Sequence, residues 1–153
     1  MDRQYNKKSY KTKDRYILLH NSVCGARIKC VEYDLDIESI EYVIDRLIDI
    51  KTGLKTKSMS NRDAIGLVKA EIIALGSVIL NKEHVFDTYH LREVLHGKNI
   101  ADEDFEIVFE PVLFDLHCAK EKLKNEILPS AISMLSNLKE RKNRFVEKEK
   151  SKS

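Results

Sequence analysis

Three side chains with the chemistry of zinc ligands lie near the start of the chain. His20, Cys24 and Cys30 form an H-x3-C-x5-C pattern, and the adjacent pair His117 and Cys118 could supply a fourth ligand. Structural zinc sites usually take their ligands as close pairs such as C-x2-C, and cysteine is often buried as a small apolar residue. We therefore predict no metal site and no cofactor, with zinc at the first three residues as the alternative.

Glu93 and His96 form the Glu-x-x-His step of carboxylate-bridged di-metal sites in helix bundles. Such sites need two copies of the step and a glutamate from each of two further helices, whereas this chain has one copy. His117 and Cys118 are adjacent, but consecutive helical residues point about 100° apart, so neither is placed to activate the other. With no nucleophile elbow, phosphate-binding glycine loop or dinucleotide motif, we predict a non-enzymatic protein without catalytic residues.

A row of carboxylates is spaced three and four residues apart, which places them on one face of a helix. Such a row could bind a divalent cation or serve as acid and base, but exposed charged faces are the rule for surface helices. A third interpretation is the docking of a basic segment from this chain or from a neighbour. We favour the solvated face for this row, which consists of Glu38, Glu41, Asp45 and Asp49.

Positive charge is concentrated at the two ends of the chain. Residues 1–16 contain six Lys or Arg and two Asp, and residues 137–153 contain seven Lys or Arg and three Glu. The body between them is acidic, although the whole chain carries only +2. Tyr5, Tyr10 and Tyr16 are spaced five and six apart, which does not make one helical face and predicts an extended arm over residues 1–16.

Basic side chains interleaved with aromatic rings are typical of surfaces that bind RNA or single-stranded DNA, because they neutralise phosphates and stack on unpaired bases. We therefore predict a small non-enzymatic accessory protein that binds nucleic acid. The pI of about 8.3 lies below the usual range for such domains, so a helical protein-interaction or regulatory module acting as an oligomer is the alternative. The predicted contact residues are Arg3, Tyr5, Lys7, Lys8, Tyr10, Lys11, Lys13, Arg15, Lys139, Arg141, Lys142 and Arg144.

Length and composition bound the class of protein. The 153 residues are 42% hydrophobic and 34% charged, which predicts a globular chain able to bury its own core. No stretch approaches the 18 or so apolar residues of a membrane span, and the first residues are charged, so we expect neither a membrane partner nor a signal peptide. Three cysteines without disulfide-scaffold density predict an intracellular, cytoplasmic protein.

Helical spacing of apolar residues dominates from residue 34 onward. The sequence predicts a mainly α fold, a bundle of about five helices with a short N-terminal extended or hairpin elaboration and basic tails at both ends. The expected parts are a basic arm over 1–16, a helical domain over 17–145 and a charged tail over 146–153. Residues 16–33 are β-prone around a turn, which favours a hairpin, with a short helix over 16–23 as the alternative.

The helices have recognisable start and stop signals. Asp34 or Asp36 is expected to cap the first and Ser60 the second, whose nearly all-apolar circumference predicts the centre of the bundle. Pro111 is expected to kink or break a later helix near Glu110, whereas Pro129 suits the first turn of the last one. In that last helix, the residues expected to face inward are Ile132, Leu135, Leu138 and Phe145.

Overall fold

The computed structural model describes residues 2–82, 84–96 and 105–151, with side chains described from residue 12 onward and from residue 108 in the last segment. These residues are mainly helical and contain no strand, which confirms the predicted mainly α class. The helices are α1 (Asp2–Lys55), α2 (Asn61–Ala74), α3 (Tyr89–His96), α4 (Phe105–Lys122) and α5 (Leu128–Ser151), with a 3-10 turn at Leu80–Lys82 and a π-helical segment at Leu123–Ile127.

Helix α1 overturns the predictions for the first third of the chain. Residues 2–33 are helical throughout, so the extended arm over 1–16 and the hairpin over 16–33 are both wrong. Asp34 and Asp36 lie in the middle of this helix and cap nothing. The physical reason is that hydrophobic residues recur at alternating steps of three and four positions along this stretch, which is the spacing of a helical seam. This pattern outweighs the local β propensity of the same residues. The steps join Tyr16, Leu19, Val23, Ala26, Cys30, Tyr33, Ile37, Ile40, Ile44 and Leu47.

The boundary between α1 and α2 is built from specific backbone contacts. Lys57 adopts a φ of 60°, the left-handed conformation in which a helix commonly ends. The Ser58 amide then donates to the Gly53 carbonyl over 3.0 Å, which satisfies one of the last carbonyls of α1. Ser60 caps α2, because its hydroxyl accepts from the Asp63 amide at 3.2 Å. The predicted cap at Ser60 is therefore confirmed.

Helix α2 has one buried face rather than an apolar circumference enclosed on all sides. Ala64, Val68 and Ile72 are buried in it, whereas Leu67 and Ile73 are exposed, Ile73 to 65% of its surface. The prediction that α2 lies at the centre of a bundle is therefore wrong. The neighbouring helices cover only some of the apolar side chains of α2.

Neither proline interrupts the helical stretch that contains α4 and α5. Pro111 lies inside α4, so the predicted break near Glu110 is wrong. As the seventh residue of α4 it removes one backbone hydrogen bond, the one that an amide at this position would donate to the carbonyl of residue 107, and the helix continues past that loss. Pro129 is the second residue of α5, as predicted. The π-helical segment Leu123–Ile127 immediately precedes α5, and such widened turns are a common way for a helix to accommodate a local irregularity.

The chain divides into two compact units. The central unit comprises residues 34–126, and the terminal unit comprises residues 1–33 together with 127–153. In the central unit the second part of α1 pairs with α2 through Arg46 and Glu71 and with α4 through Lys120 and Glu41. Its core is apolar and fully enclosed, with Ile40, Leu47, Ile72, Phe109 and Leu116 among the side chains with almost no exposure.

The terminal unit has a much thinner core. Val23 and Cys30 of α1 are buried, whereas no residue of α5 among those described is buried. Leu135, Leu138 and Phe145 are half-buried, and Ile132 is 49% exposed, so the prediction that Ile132 faces inward is wrong. Two helices alone enclose few side chains, because each can cover only one stripe of the other.

In the described part of the chain, no helix combines the length and apolarity that crossing a membrane requires.

Candidate nucleic-acid interface

Both basic ends of the chain belong to the terminal unit. Lys13 and Arg15 lie on α1, and Lys139, Arg141, Lys142 and Arg144 lie on α5. Arg3, Tyr5, Lys7, Lys8, Tyr10 and Lys11 share the helical backbone of α1, but their side chains lie outside the described residues. Charges that are more than a hundred residues apart in sequence therefore belong to one compact body.

Aromatic contacts join the two helices of this unit. The rings of Tyr16 and Phe145 lie 6.2 Å apart at 33°, and Tyr16 also stacks on His20 at 5.9 Å. Lys142 reaches His20 one turn further along, so increasing numbers on α1 meet decreasing numbers on α5. The two helices therefore run antiparallel.

Lys142 lies at the seam between the two helices. Its Nζ lies 2.7 Å from His20 Nδ1 and 5.8 Å from the centre of the Tyr16 ring, within the range of a cation–π contact. A lysine ammonium can only donate, so Nδ1 is the acceptor in this contact, and the other ring nitrogen of His20 is Nε2. That nitrogen lies 3.7 Å from Cys24 Sγ. These contacts give Lys142 a role in holding the helices together.

The other basic side chains of α5 face solvent. Lys139, Arg141 and Arg144 are exposed, and Arg144 donates to Glu140 over 2.6 Å across one helical turn. Both partners of that pair are more than half exposed, so it contributes only a few tenths of a kcal/mol to stability. Such a weak surface pair leaves the guanidinium accessible to a stronger anion such as a phosphate.

An open groove of about 550 Å³ lies between α1 and α5 in the terminal unit. Tyr16, Ile17, Phe145 and Val146 supply its apolar lining, and its polar lining includes Lys13 and Lys150 together with Glu149 and Thr12. The groove therefore combines aromatic surface with side chains of both charges.

The two units carry opposite net charge. The terminal unit contains fifteen Lys or Arg and six Asp or Glu, a net charge of +9, whereas the central unit contains twelve and nineteen, a net charge of −7. The modest overall charge of the chain therefore hides one strongly basic body. A polyanion is attracted to the first unit and repelled by the second.

The residues considered as metal ligands do not form one cluster in the described part of the structure. His20 and Cys24 approach each other, but Cys30 is buried. Glu93 accepts a hydrogen bond from the Tyr89 hydroxyl at 3.4 Å. Across the described ranges, no group of three or more His, Cys, Asp or Glu is placed to hold a metal ion.

The row of carboxylates on α1 faces solvent. Glu38, Glu41, Asp45 and Asp49 are all exposed, and Glu41 pairs with Lys120 of α4 at 3.8 Å. The row is therefore a solvated helix face, as favoured from the sequence.

Sequence reasoning missed the group that holds the terminal unit together, which is Tyr16, His20, Lys142 and Phe145. The signal that could have identified it is the three- and four-residue spacing through residues 16–33. The same spacing recurs at Leu128, Ala131, Leu135, Leu138, Lys142 and Phe145 of α5.

Comparison of the chain with protein-family models, with curated proteins and with solved structures gives no match.

Proposed function

We propose that this protein is a non-enzymatic accessory protein that binds RNA or single-stranded DNA through the basic terminal unit. The observation that carries the proposal is the union of both basic ends in one compact unit of net charge +9. Phosphates bound by Lys and Arg release condensed counterions, and this release drives binding without any requirement for a particular base sequence.

The helical form of α1 changes the expected mode of contact. Tyr16 was expected to belong to an extended arm available for stacking, but its ring packs on Phe145 and His20. Phosphate contacts therefore supply most of the affinity, from Lys13 and Arg15 on one helix and from Lys139, Arg141 and Arg144 on the other. Nonspecific binding of this kind has dissociation constants on the order of 1–100 µM at moderate salt.

The test is a fluorescence-anisotropy titration of labelled single-stranded RNA, single-stranded DNA and duplex DNA at low salt. The variant Lys139→Gln/Arg141→Gln/Arg144→Gln removes three exposed charges of the terminal unit. We expect it to weaken binding of single strands about tenfold or more, because each lost phosphate contact removes part of the counterion-release term. Deletion of residues 1–11 is expected to weaken binding similarly, since it removes Arg3, Lys7, Lys8 and Lys11.

The matched control is Arg62→Gln/Lys122→Gln/Lys124→Gln, which removes the same charge from exposed positions of the central unit. This control is expected to bind as well as the wild type. Absence of binding by the wild type to all three nucleic acids at low salt would overturn the proposal. Equal losses in the two triple variants would show that only the overall charge matters.

A further inference from the structure

The groove between α1 and α5 carries apolar surface that the terminal unit leaves open to solvent. Its apolar lining comes from Tyr16 and Ile17 on α1 and from Phe145 and Val146 on α5. Ile17 is 52% exposed and Tyr16 is 37% exposed, while the two residues of α5 are half-buried. The volume of about 550 Å³ lies within the range of roughly 300–1,000 Å³ that is usual for small-ligand clefts, so the groove is large enough for a flat aromatic ring.

The charged residues of the groove lie one helical turn from its apolar residues. On α1, Lys13 precedes the two apolar residues by three and four positions, and on α5, Glu149 and Lys150 each follow an apolar residue by four. Side chains at these spacings share one face of a helix. Four residues rise about 6 Å along the helix axis, which is comparable to the separation of base and phosphate within one nucleotide. The groove therefore offers apolar and ionic contacts at the spacing of a nucleotide.

The charged groups that line the groove differ in what they can bind. The ammonium groups of Lys13 and Lys150 donate hydrogen bonds and attract phosphates, whereas the carboxylate of Glu149 only accepts hydrogen bonds and repels phosphates. A ligand that satisfies both kinds of group must carry negative charge in one part and N–H donors in another. A nucleotide whose base has an exocyclic amino group meets both requirements, since its phosphate is anionic and its base presents an NH₂ donor.

The two aromatic rings of the groove are not stacked flat on each other. Tyr16 and Phe145 are tilted by 33°, with their ring centres 6.2 Å apart. Tyr16 stacks instead on His20, so Phe145 and the exposed part of Tyr16 are the aromatic surface that a ligand in the groove can contact. Stacking on a protein ring requires an unpaired base, because the bases of a duplex are stacked on one another. The groove therefore suits a single strand rather than a duplex.

We propose that the groove binds one unpaired base of the single strand that the terminal unit holds. The base packs against Phe145 and the exposed part of Tyr16. Its exocyclic amino group donates to Glu149, and the flanking phosphates contact Lys13 and Lys150. This inference rests on the function proposed above, because the basic surface supplies the phosphate contacts that bring the strand to the groove. It adds a preference for cytosine over uracil, which has a carbonyl where cytosine has the amino group.

Oligonucleotides that differ only in their bases test the groove without any change to the protein. Fluorescence anisotropy at one low salt concentration compares deoxycytidine, deoxyuridine and abasic deoxyribose strands of equal length. The wild type is expected to bind the cytidine strand about fivefold or more tightly than the abasic strand, because the abasic strand cannot stack. It is expected to bind the cytidine strand about threefold more tightly than the uridine strand, because uracil offers Glu149 no amino group.

The outcomes of this comparison separate the groove from the phosphate interface. Equal binding of all three strands would overturn the base-binding groove while leaving the phosphate contacts of the terminal unit in place. Absence of binding to all three strands would overturn the function on which the groove depends.

Glu149→Gln tests the contact with the amino group, and Glu147→Gln is its matched control. Each variant removes one exposed negative charge from α5, but Glu147 is not among the residues that line the groove. Glu149→Gln is expected to abolish the preference for cytidine over uridine, because an amide side chain both accepts and donates hydrogen bonds. Glu147→Gln is expected to keep the preference. A preference that persists in Glu149→Gln would contradict the assignment of the carboxylate.

Phe145→Leu tests the aromatic surface, because leucine keeps an apolar side chain but removes the ring. Its affinity for the cytidine strand is expected to fall toward that for the abasic strand, while its affinity for the abasic strand stays unchanged. Phe114→Leu replaces an exposed phenylalanine of the central unit and is expected to bind as the wild type does. Circular dichroism checks that both variants keep their helical content; if Phe145→Leu does not, Glu149→Gln decides the question. Equal losses for the cytidine and abasic strands in a folded Phe145→Leu would overturn the proposal.

Discussion

At the scale of single residues, the least expected feature is a buried carboxylate. Asp115 of α4 is 3% exposed, and its Oδ2 accepts from the backbone amides of His90 at 2.9 Å and Leu91 at 3.3 Å. These amides belong to the first turn of α3, where no carbonyl of the helix itself can accept from them. Asp115 thus caps a helix from 24 residues away, which no local sequence signal could reveal.

Replacing Asp115 by alanine is expected to lower the free energy of unfolding by about 1–3 kcal/mol, because two buried amides lose their acceptor. Asp115→Asn keeps an acceptor oxygen and is expected to lose less. Urea denaturation followed by circular dichroism measures both. Equal losses in the two variants would contradict the capping role.

The pH dependence of stability gives a second test of Asp115. Burial raises the pKa of this carboxyl above its ordinary value, although the amides of His90 and Leu91 oppose the shift. A carboxyl with a raised folded-state pKa binds protons more tightly when folded, so its contribution to stability declines as pH rises from about 3.9 through the folded-state pKa. The wild type should therefore lose stability relative to Asp115→Asn over that interval, and the opposite trend would contradict the assignment.

At the scale of the elements, sequence patterns predicted those parts of the fold that local chemistry controls. The Ser60 cap and the placement of Pro129 follow from side-chain oxygens and a fixed φ within a few residues. Residues 16–33 were misassigned because β-branched residues and Gly25 suggest strands and a turn, whereas the seam with α5 decides their structure. The pairing of α1 with α5 depends on contacts more than a hundred residues apart, such as Tyr16 with Phe145.

The backbone conformation of Lys57 at the end of α1 is one that a substitution can make more stable. Lys57 has a φ of 60°, which costs an ordinary residue roughly 1 kcal/mol and glycine almost nothing. Lys57→Gly is therefore expected to raise the free energy of unfolding by up to about 1 kcal/mol, and Lys57→Ala, which retains the strain, should give no such gain. Thermal and urea denaturation check both; a loss of stability in Lys57→Gly would contradict the account of this helix end.

At the scale of the whole molecule, charge is divided between two bodies rather than averaged over one surface. The net charge of +2 for the whole chain is the sum of +9 for the terminal unit and −7 for the central unit. Sequence counting had already located the basic ends, but only the fold assigns both to one unit. The candidate nucleic-acid contacts on α1 and α5 could be predicted from composition. That they lie in the same unit could not, because it depends on the antiparallel contact of the two helices.

The salt dependence of RNA binding tests the central claim most directly. For single strands, the logarithm of the binding constant falls against the logarithm of salt concentration with a slope of about −0.7 for each phosphate neutralised. Lys139→Gln/Arg141→Gln/Arg144→Gln should make the slope shallower by about 2, whereas Arg62→Gln/Lys122→Gln/Lys124→Gln should leave it unchanged. No salt-dependent binding by the wild type, or an identical slope in all three proteins, would contradict a nucleic-acid interface on the terminal unit.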